Sequence, residues 1–515
     1  MAALATAFFA VIVTVLLGFR LPVVVVLSRW QSEPTFGDSL RLVADGASWL
    51  VALALLIALL AACLVGLSGR TEQTGLHHAS SLLVIACALV AVFADNLMTL
   101  AMAWVALDLV IYCSLVLVRG ESRAVAEFSV RILAIVLVIA AALVGVESGE
   151  MPVLSGGQLS TQSVILLMVA VMLRLGLYPV HVGARRVVES HQVVVEIESV
   201  TWLAAWAVSV DLLSVLASQP QVLPLRIWLT VAALASGLLG SWRWYSASRP
   251  REQLKHMFMA QAGVIVLTFL WGGEWAVAGV IARGLSVLLA GSVLLLCRGN
   301  VASARGSALN PLLAVPVLGS LPLTVGFVGA LVLYSGLLRA GMWLLVLPVV
   351  VVIEAMLIAG AFRLALFAGR GPPTQAPFAR AGYQLGLTIP AAAAVLAGLA
   401  PDQLGAIAGV ADMPGWFGML TPGGFSALGS TLLAGGIGAG IWSFREQLQT
   451  RTAGASIPRL GLLSMFELRW MHTATWTLYR WVARVMRAAA LVLEGHGGVL
   501  WALVLVTIVW LALGG

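Results

Sequence analysis

Long apolar runs separated by short polar stretches make up most of the chain. They fall at about residues 4–28, 47–68, 80–94, 97–118, 130–147, 163–182, 199–217, 225–242, 256–272, 275–297, 311–338, 342–366, 384–400, 424–443 and 497–513. Each run is continuous rather than alternating apolar with polar. At roughly 20 residues per helical crossing of a bilayer, they predict about 14 or 15 transmembrane helices. A membrane β-barrel would alternate, so it is excluded. The expected fold class is all-α, a polytopic membrane helical bundle. The first run, Met1 to about Leu16, has no basic residue ahead of it and no small-residue cleavage site behind it. It is expected to be a retained span rather than a signal peptide. One stretch breaks the rhythm: residues 459–495 interleave Arg459, Glu467, Arg469, Arg480, Arg484, Arg487 and Glu494 with Leu, Met, Trp and Val at helical spacing. That pattern predicts an amphipathic helix along the membrane or against a neighbouring subunit, before a final span.

Composition agrees with the pattern. Of 515 residues, 61% are hydrophobic and 10% charged, against about 25% charged in a soluble domain. Charge also sorts the loops. Arg119–Arg131, Arg243–Lys255, Arg298–Arg305, Gly369–Arg380 and Arg445–Arg459 are basic, whereas Glu147–Met151, Gly272–Glu274 and Asp402–Asp412 are acidic or neutral. An even number of runs separates successive basic loops, which predicts that the basic loops are cytoplasmic. Lys and Arg together number 29 and Lys255 is the only lysine, leaving 28 arginines. Cys63, Cys87, Cys113 and Cys297 stand singly inside apolar runs and are expected to be small buried hydrophobes rather than metal or cluster ligands. No soluble domain, nucleotide-binding glycine loop, metal-ligand cluster or nucleic-acid interface is legible, and no cofactor is expected.

The chemistry lies in ionisable residues inside the apolar runs, where charge is costly and usually functional. These are Asp95, Asp108, Arg131, Arg174, His181, Glu196, Glu198, Asp211, Arg283, Glu354 and Arg363. Asp95, Arg131 and Glu196 lie close to run ends, where a side chain can reach the interface. Asp108, Arg174, Arg283, Glu354 and Arg363 have apolar sequence on both sides. Helix breakers accompany them: Pro179 follows Arg174 by five positions, and Pro322, with Gly326 and Gly329, interrupts another run. Broken helices beside buried charge are the signature of an ion path near mid-membrane. His181 is a candidate proton-exchanging group, while a histidine bonded to a carbonyl at the membrane edge accounts equally well for its position.

Six stretches, in order, resemble one family. Ala94-Asp95-Asn96-Leu97 with Ala103-Trp104 resembles a "DN…GWE" pattern. Arg174 through Pro179 to His181 is similar to "K-x-x-x-x-P-x-H". Arg251 through Lys255 to Gln261-Ala-Gly263 is similar to "D-x-K-R-x-x-A-Y-S-S-x-S-Q-x-G", and Arg283 through Gly291-Ser292 to "K-A-x-L-F-x-x-x-G-S". Leu321-Pro322 to Gly326-Phe327 resembles "P-P-x-x-G-F", and Ala361-Phe362-Arg363-Leu364 resembles "Y-Y-x-R/K-L". These patterns are those of the antiporter-like subunits of respiratory complex I, Mrp-type Na+/H+ antiporters, membrane-bound hydrogenases and the membrane subunit of the DAB inorganic-carbon complex. The resemblance implies a 14-helix core with two inverted five-helix repeats, each holding a broken helix (breaks at Pro179 and at Pro322 and Gly326). On that plan residues 1–95 are N-terminal helices, 96–400 the core, 401–458 a C-terminal membrane segment, and 459–515 the amphipathic helix and last span. The resemblance further implies a proton pathway over Asp108, Arg174, His181, Glu196, Glu198, Asp211, Arg283, Glu354 and Arg363.

The chain departs from the family at its centre. Val105 stands where the family has glutamate, with Asp108 one helical turn on. Arginine replaces lysine at 174, 283 and 363. A buried lysine can lose a proton, whereas arginine stays charged. Two readings remain open: protons move by water and carboxylates between fixed arginine charges, or conduction is lost and the pairs hold a scaffold. The expected function is a proton-conducting subunit of a complex I- or hydrogenase-type assembly, with no redox centre or catalytic residue of its own. Its alternatives are the membrane subunit of a DAB-type carbon-uptake complex and a structural scaffold. The expected partners are the lipid bilayer, protons or Na+, and other subunits: a redox arm, or a soluble zinc-containing carbon-uptake subunit.

Overall fold

The structure is a computed structural model. It describes residues 2–28, 40–66, 75–119, 121–147, 154, 157, 159–177, 195–219, 225–247, 250–297, 309–367, 377–411, 413–416, 420–444, 477, 480, 481 and 484. The chain divides into two compact units, Met1–Arg459 and Leu460–Gly515. Everything below concerns the first. The expected amphipathic helix and last span lie outside the described residues except at those four positions.

The first unit opens with α1 (Ala2–Leu17), β1 (Val23–Ser28), β2 (Leu40–Ala44), α2 (Gly46–Gly66) and α3 (Gly75–Val92). There follow α4 (Leu97–Arg119), α5 (Glu121–Glu147), α6 (Thr161–Leu175), α7 (Val195–Ala217), α8 (Arg226–Ser246) and α9 (Pro250–Trp271). The remainder is α10 (Ala276–Cys297), α11 (Leu309–Leu318), α12 (Val325–Arg339), α13 (Trp343–Phe367), α14 (Pro377–Leu399), α15 (Pro401–Ile407) and α16 (Pro422–Ser443). Among the described residues ten helices are long and apolar enough to cross a membrane, and three further apolar helices are shorter. The protein is an all-α polytopic membrane bundle.

Two apolar runs fold differently from a single span. In the run at 4–28, α1 stops at Leu17. Pro22, which has no N–H and a fixed φ, cannot continue a helix, and the β-branched valines after it pair as β1 with β2 in an antiparallel hairpin. The far edge of β2 is closed by the α3–α4 junction: Val43 N–H donates to Phe93 C=O at 2.7 Å, and Asp95 N–H to Arg41 C=O at 3.2 Å. There Asn96 Oδ1 accepts from Thr99 N–H at 2.7 Å and caps α4, while the Asp95 carboxylate meets Arg41 Nε at 2.8 Å. Asp95 therefore fastens the hairpin to the bundle. The run at 311–338 is two helices, α11 and α12, separated by the stretch around Pro322.

α10 is the axis of the bundle. Every residue of it except Val277 is buried, and α2, α7, α9, α11, α12 and α14 surround it. Small residues permit such close assembly, since in a bilayer helices associate by van der Waals fit rather than by escape from water. At the α8–α9 contact, a Cβ on Gly240 would lie 2.6 Å from Ala260 N and one on Gly263 2.4 Å from Ala233 O. Only hydrogen fits there.

Candidate functional site

Among the described residues, two clusters of buried arginine and carboxylate lie within the bundle, one at the C-terminal end of α6 and one beside the turn between α11 and α12. The first joins α4, α5 and α6. Trp104 and Asp108 stand one turn apart on α4 and so share a face. α6 ends just after Arg174: Gly176 takes a left-handed φ of 71°, and its N–H closes on Leu173 C=O. That termination places Arg174 in the last helical turn, where positive charge is favoured. Its guanidinium meets the Asp108 carboxylate in a two-pronged pair, one terminal nitrogen donating to Oδ2 at 3.0 Å and the other to Oδ1 at 2.7 Å. Both side chains are 0% exposed. Arg131 of α5 adds a third contact to Oδ1 at 3.1 Å. The Arg174 guanidinium also lies 4.2 Å from the centre of the Trp104 ring, a cation–π contact that further fixes its plane. The cluster holds one negative and two positive charges.

The second cluster joins α10, α12, α13 and the stretch between α11 and α12. Within that stretch Ser320 and Leu323 take positive φ of 56° and 67°, a conformation costly for residues with a side chain. The surroundings hold it in place. Gln261 of α9 donates to Leu318 C=O at 3.2 Å, Leu321 N–H reaches Pro316 C=O at 2.8 Å, and Thr324 caps α12 by accepting from Phe327 N–H. The strained turn presents the Ser320 hydroxyl to Arg283, which donates to it. The other end of the Arg283 guanidinium meets Glu354 Oε1 at 2.6 Å, and Tyr334 donates its hydroxyl proton to Glu354 Oε2 at 2.8 Å. Arg283 is 1% exposed and Tyr334 and Glu354 are 0% exposed. Gly329 makes room for the arginine, because a Cβ there would sit 2.4 Å from Arg283 Cγ. One positive charge here answers one negative.

The remaining candidate residues are dispersed. Arg363 donates to Tyr245 C=O at the end of α8 and joins neither cluster. Asp211 is buried in α7, where no ion pair to it occurs among the described residues. Glu196 and Glu198 are in the first turn of α7, their side chains outside the described residues, as are His181 and Pro179 altogether. Pro322 is in the stretch between α11 and α12, and Gly326 follows in the first turn of α12, where a Cβ would meet Val317 O at 2.1 Å. Sequence reasoning missed Ser320 and Tyr334. A lone tyrosine within an apolar helix was the available signal for the second. For Ser320 there was none, since its role depends on the path of the turn.

Both clusters join permanently charged guanidinium groups to carboxylates that can take up or release a proton. Protonating the carboxylate dissolves the ion pair and frees a buried cation, so proton occupancy and helix packing are linked.

No sequence family and no characterised protein sequence matches the chain. Solved structures do. A chain of the Mrp complex from Dietzia sp. is 20% identical with a TM-score of 0.72, and the alignment covers 100% of this chain and 60% of that one. This protein therefore spans about three fifths of that longer relative. A chain of the membrane-bound sulfane sulfur reductase, an archaeal respiratory membrane complex, is 13% identical with a TM-score of 0.65, covering 99% of this chain and 95% of the other. A chain of respiratory complex I from Thermus thermophilus is 21% identical with a TM-score of 0.55, covering 77% and 98%. The chain thus shares its fold with membrane chains of these complexes.

Proposed function

We propose that the protein is the proton-translocating, antiporter-like subunit of a multi-subunit membrane complex, driven by partner subunits. The observation that carries this reading is the pair of buried arginine–carboxylate clusters, one at the C-terminal end of α6 and one beside the turn between α11 and α12, within an apolar membrane bundle. Such clusters cost stability compared with apolar packing, and an ion path is the best-supported reason to keep them. The proposed route runs from the Asp108 cluster by Asp211 in α7 towards Arg283 and Glu354, with Glu196, Glu198, His181 and Arg363 as its outer members. The basic loops support an orientation in a bacterial inner membrane with those loops in the cytoplasm. The test is proton flux in vesicles reconstituted with the purified complex. Glu354→Gln is expected to reduce coupled flux at least tenfold while the complex still assembles, and flux equal to wild type would contradict the proposal.

One observation favours a second reading, a scaffold without transport. Asp108 is gripped by two guanidinium groups that cannot give up a proton. On that reading all charge-neutralising variants alter stability and none alters flux.

A further inference from the structure

The two clusters differ in what donates to the carboxylate. Among the described residues, every hydrogen bond to Asp108 comes from a guanidinium, of Arg131 or Arg174. Neither group can pass a proton on. A proton arriving there also meets two fixed positive charges around one negative. Glu354 stands differently. Oε1 receives Arg283, but Oε2 receives a phenol, the Tyr334 hydroxyl at 2.8 Å. A phenolic O–H both donates and accepts and can exchange its proton. The cluster is neutral overall, so one added proton leaves a single positive charge, that of Arg283.

We infer that Tyr334 is the relay and positioning residue for Glu354 and that this pair is where the moving proton is held, whereas Asp108 stays ionised as a fixed electrostatic anchor. This rests on the proton-translocating reading above. In the exchange step, Tyr334 gives its hydroxyl proton to Oε2 while its oxygen takes a replacement from a hydronium ion in the path. The hydronium becomes water, the carboxylate becomes a carboxylic acid, and Tyr334 ends as it began. Arg283 keeps all its protons. As its bond to Oε1 weakens, the Ser320 hydroxyl still holds the other end of the guanidinium, so the arginine stays in place until the proton leaves.

The test is infrared difference spectroscopy on the intact complex, moved between alkaline and acidic buffer. Wild type is expected to gain the C=O stretch of a protonated buried carboxyl. That band is expected to vanish in Glu354→Gln and to persist in Asp108→Asn. In Tyr334→Phe it should move to higher wavenumber, because the acid has lost a hydrogen bond. If Asp108→Asn does not assemble, Asp108→Glu serves instead, and the band is expected at its wild-type position. A band abolished by changing Asp108, insensitive to Glu354→Gln, or unmoved by Tyr334→Phe would overturn the inference. The band reports proton uptake without transport, so a complex that shows it but carries no flux would contradict translocation alone. With flux present, Tyr334→Phe should lower it about tenfold while Glu354 still protonates.

Discussion

Arg174 shows how far a single residue can be read. Its place in an apolar run five positions before Pro179 marks it as functional, and Asp108, one turn beyond the usual carboxylate position, is legible as its partner. The structure joins them at 2.7 Å and 3.0 Å. What the sequence does not reveal is the company each pair keeps. Arg131 reads as a boundary residue, yet it is Asp108's second cation, because α4 and α5 pack as neighbours. Tyr334 and Glu354 are twenty positions apart on successive helices, a contact that no periodicity encodes. Removing Arg174 leaves the buried Asp108 carboxylate with Arg131 as its remaining cation, so the cost should fall below the about 3–5 kcal/mol of a fully stranded buried charge. Arg174→Ala is therefore expected to lower the thermal denaturation midpoint of the purified protein well below that of Arg174→Lys, which keeps the charge. Equal midpoints would show that the pair contributes nothing to holding α4 and α6. The exposed pair of Arg339 and Glu274, at 2.6 Å, is the control. Solvent screens it, so Glu274→Gln should change stability by no more than about 1 kcal/mol.

At the scale of elements, the runs and their breaks were legible wherever the signal was local. Pro322 announces the division between α11 and α12, but the positive φ at Ser320 and Leu323 that turns the chain depends on packing. The valine run at 23–26 reads as membrane-spanning by hydropathy alone. Only its pairing with β2 and the seam at Phe93 to Asp95 shows it as a hairpin edge. Two predictions belong here. Gly329→Leu should push the Arg283 side chain out of place, since even a methyl would lie 2.4 Å from its Cγ, and so remove flux as Glu354→Gln does. Retained flux would mean that the Arg283 position is not required. Thr324→Ala removes the cap on α12 and is expected to cost about 1 kcal/mol, read from denaturation. A cost near zero would show that the turn is held by Gln261 and its backbone bonds alone.

For the whole molecule, the fold was the most legible property, because continuous apolar runs admit few architectures and six short patterns in order resemble those of subunits with this fold. The drive is not written in the chain. On the proposed function, the energy comes from neighbouring subunits. Purification in mild detergent is expected to bring down further membrane subunits in stoichiometric amount. A chain that isolates alone yet still moves protons would contradict the view of it as a driven subunit. The central claim, that the buried charge serves proton movement rather than merely holding helices, is tested most directly by proton flux across vesicles containing the complex. The account predicts coupled flux in wild type that falls at least tenfold in Glu354→Gln while the complex remains assembled. Flux that is absent from wild type, or unchanged in Glu354→Gln, would contradict it.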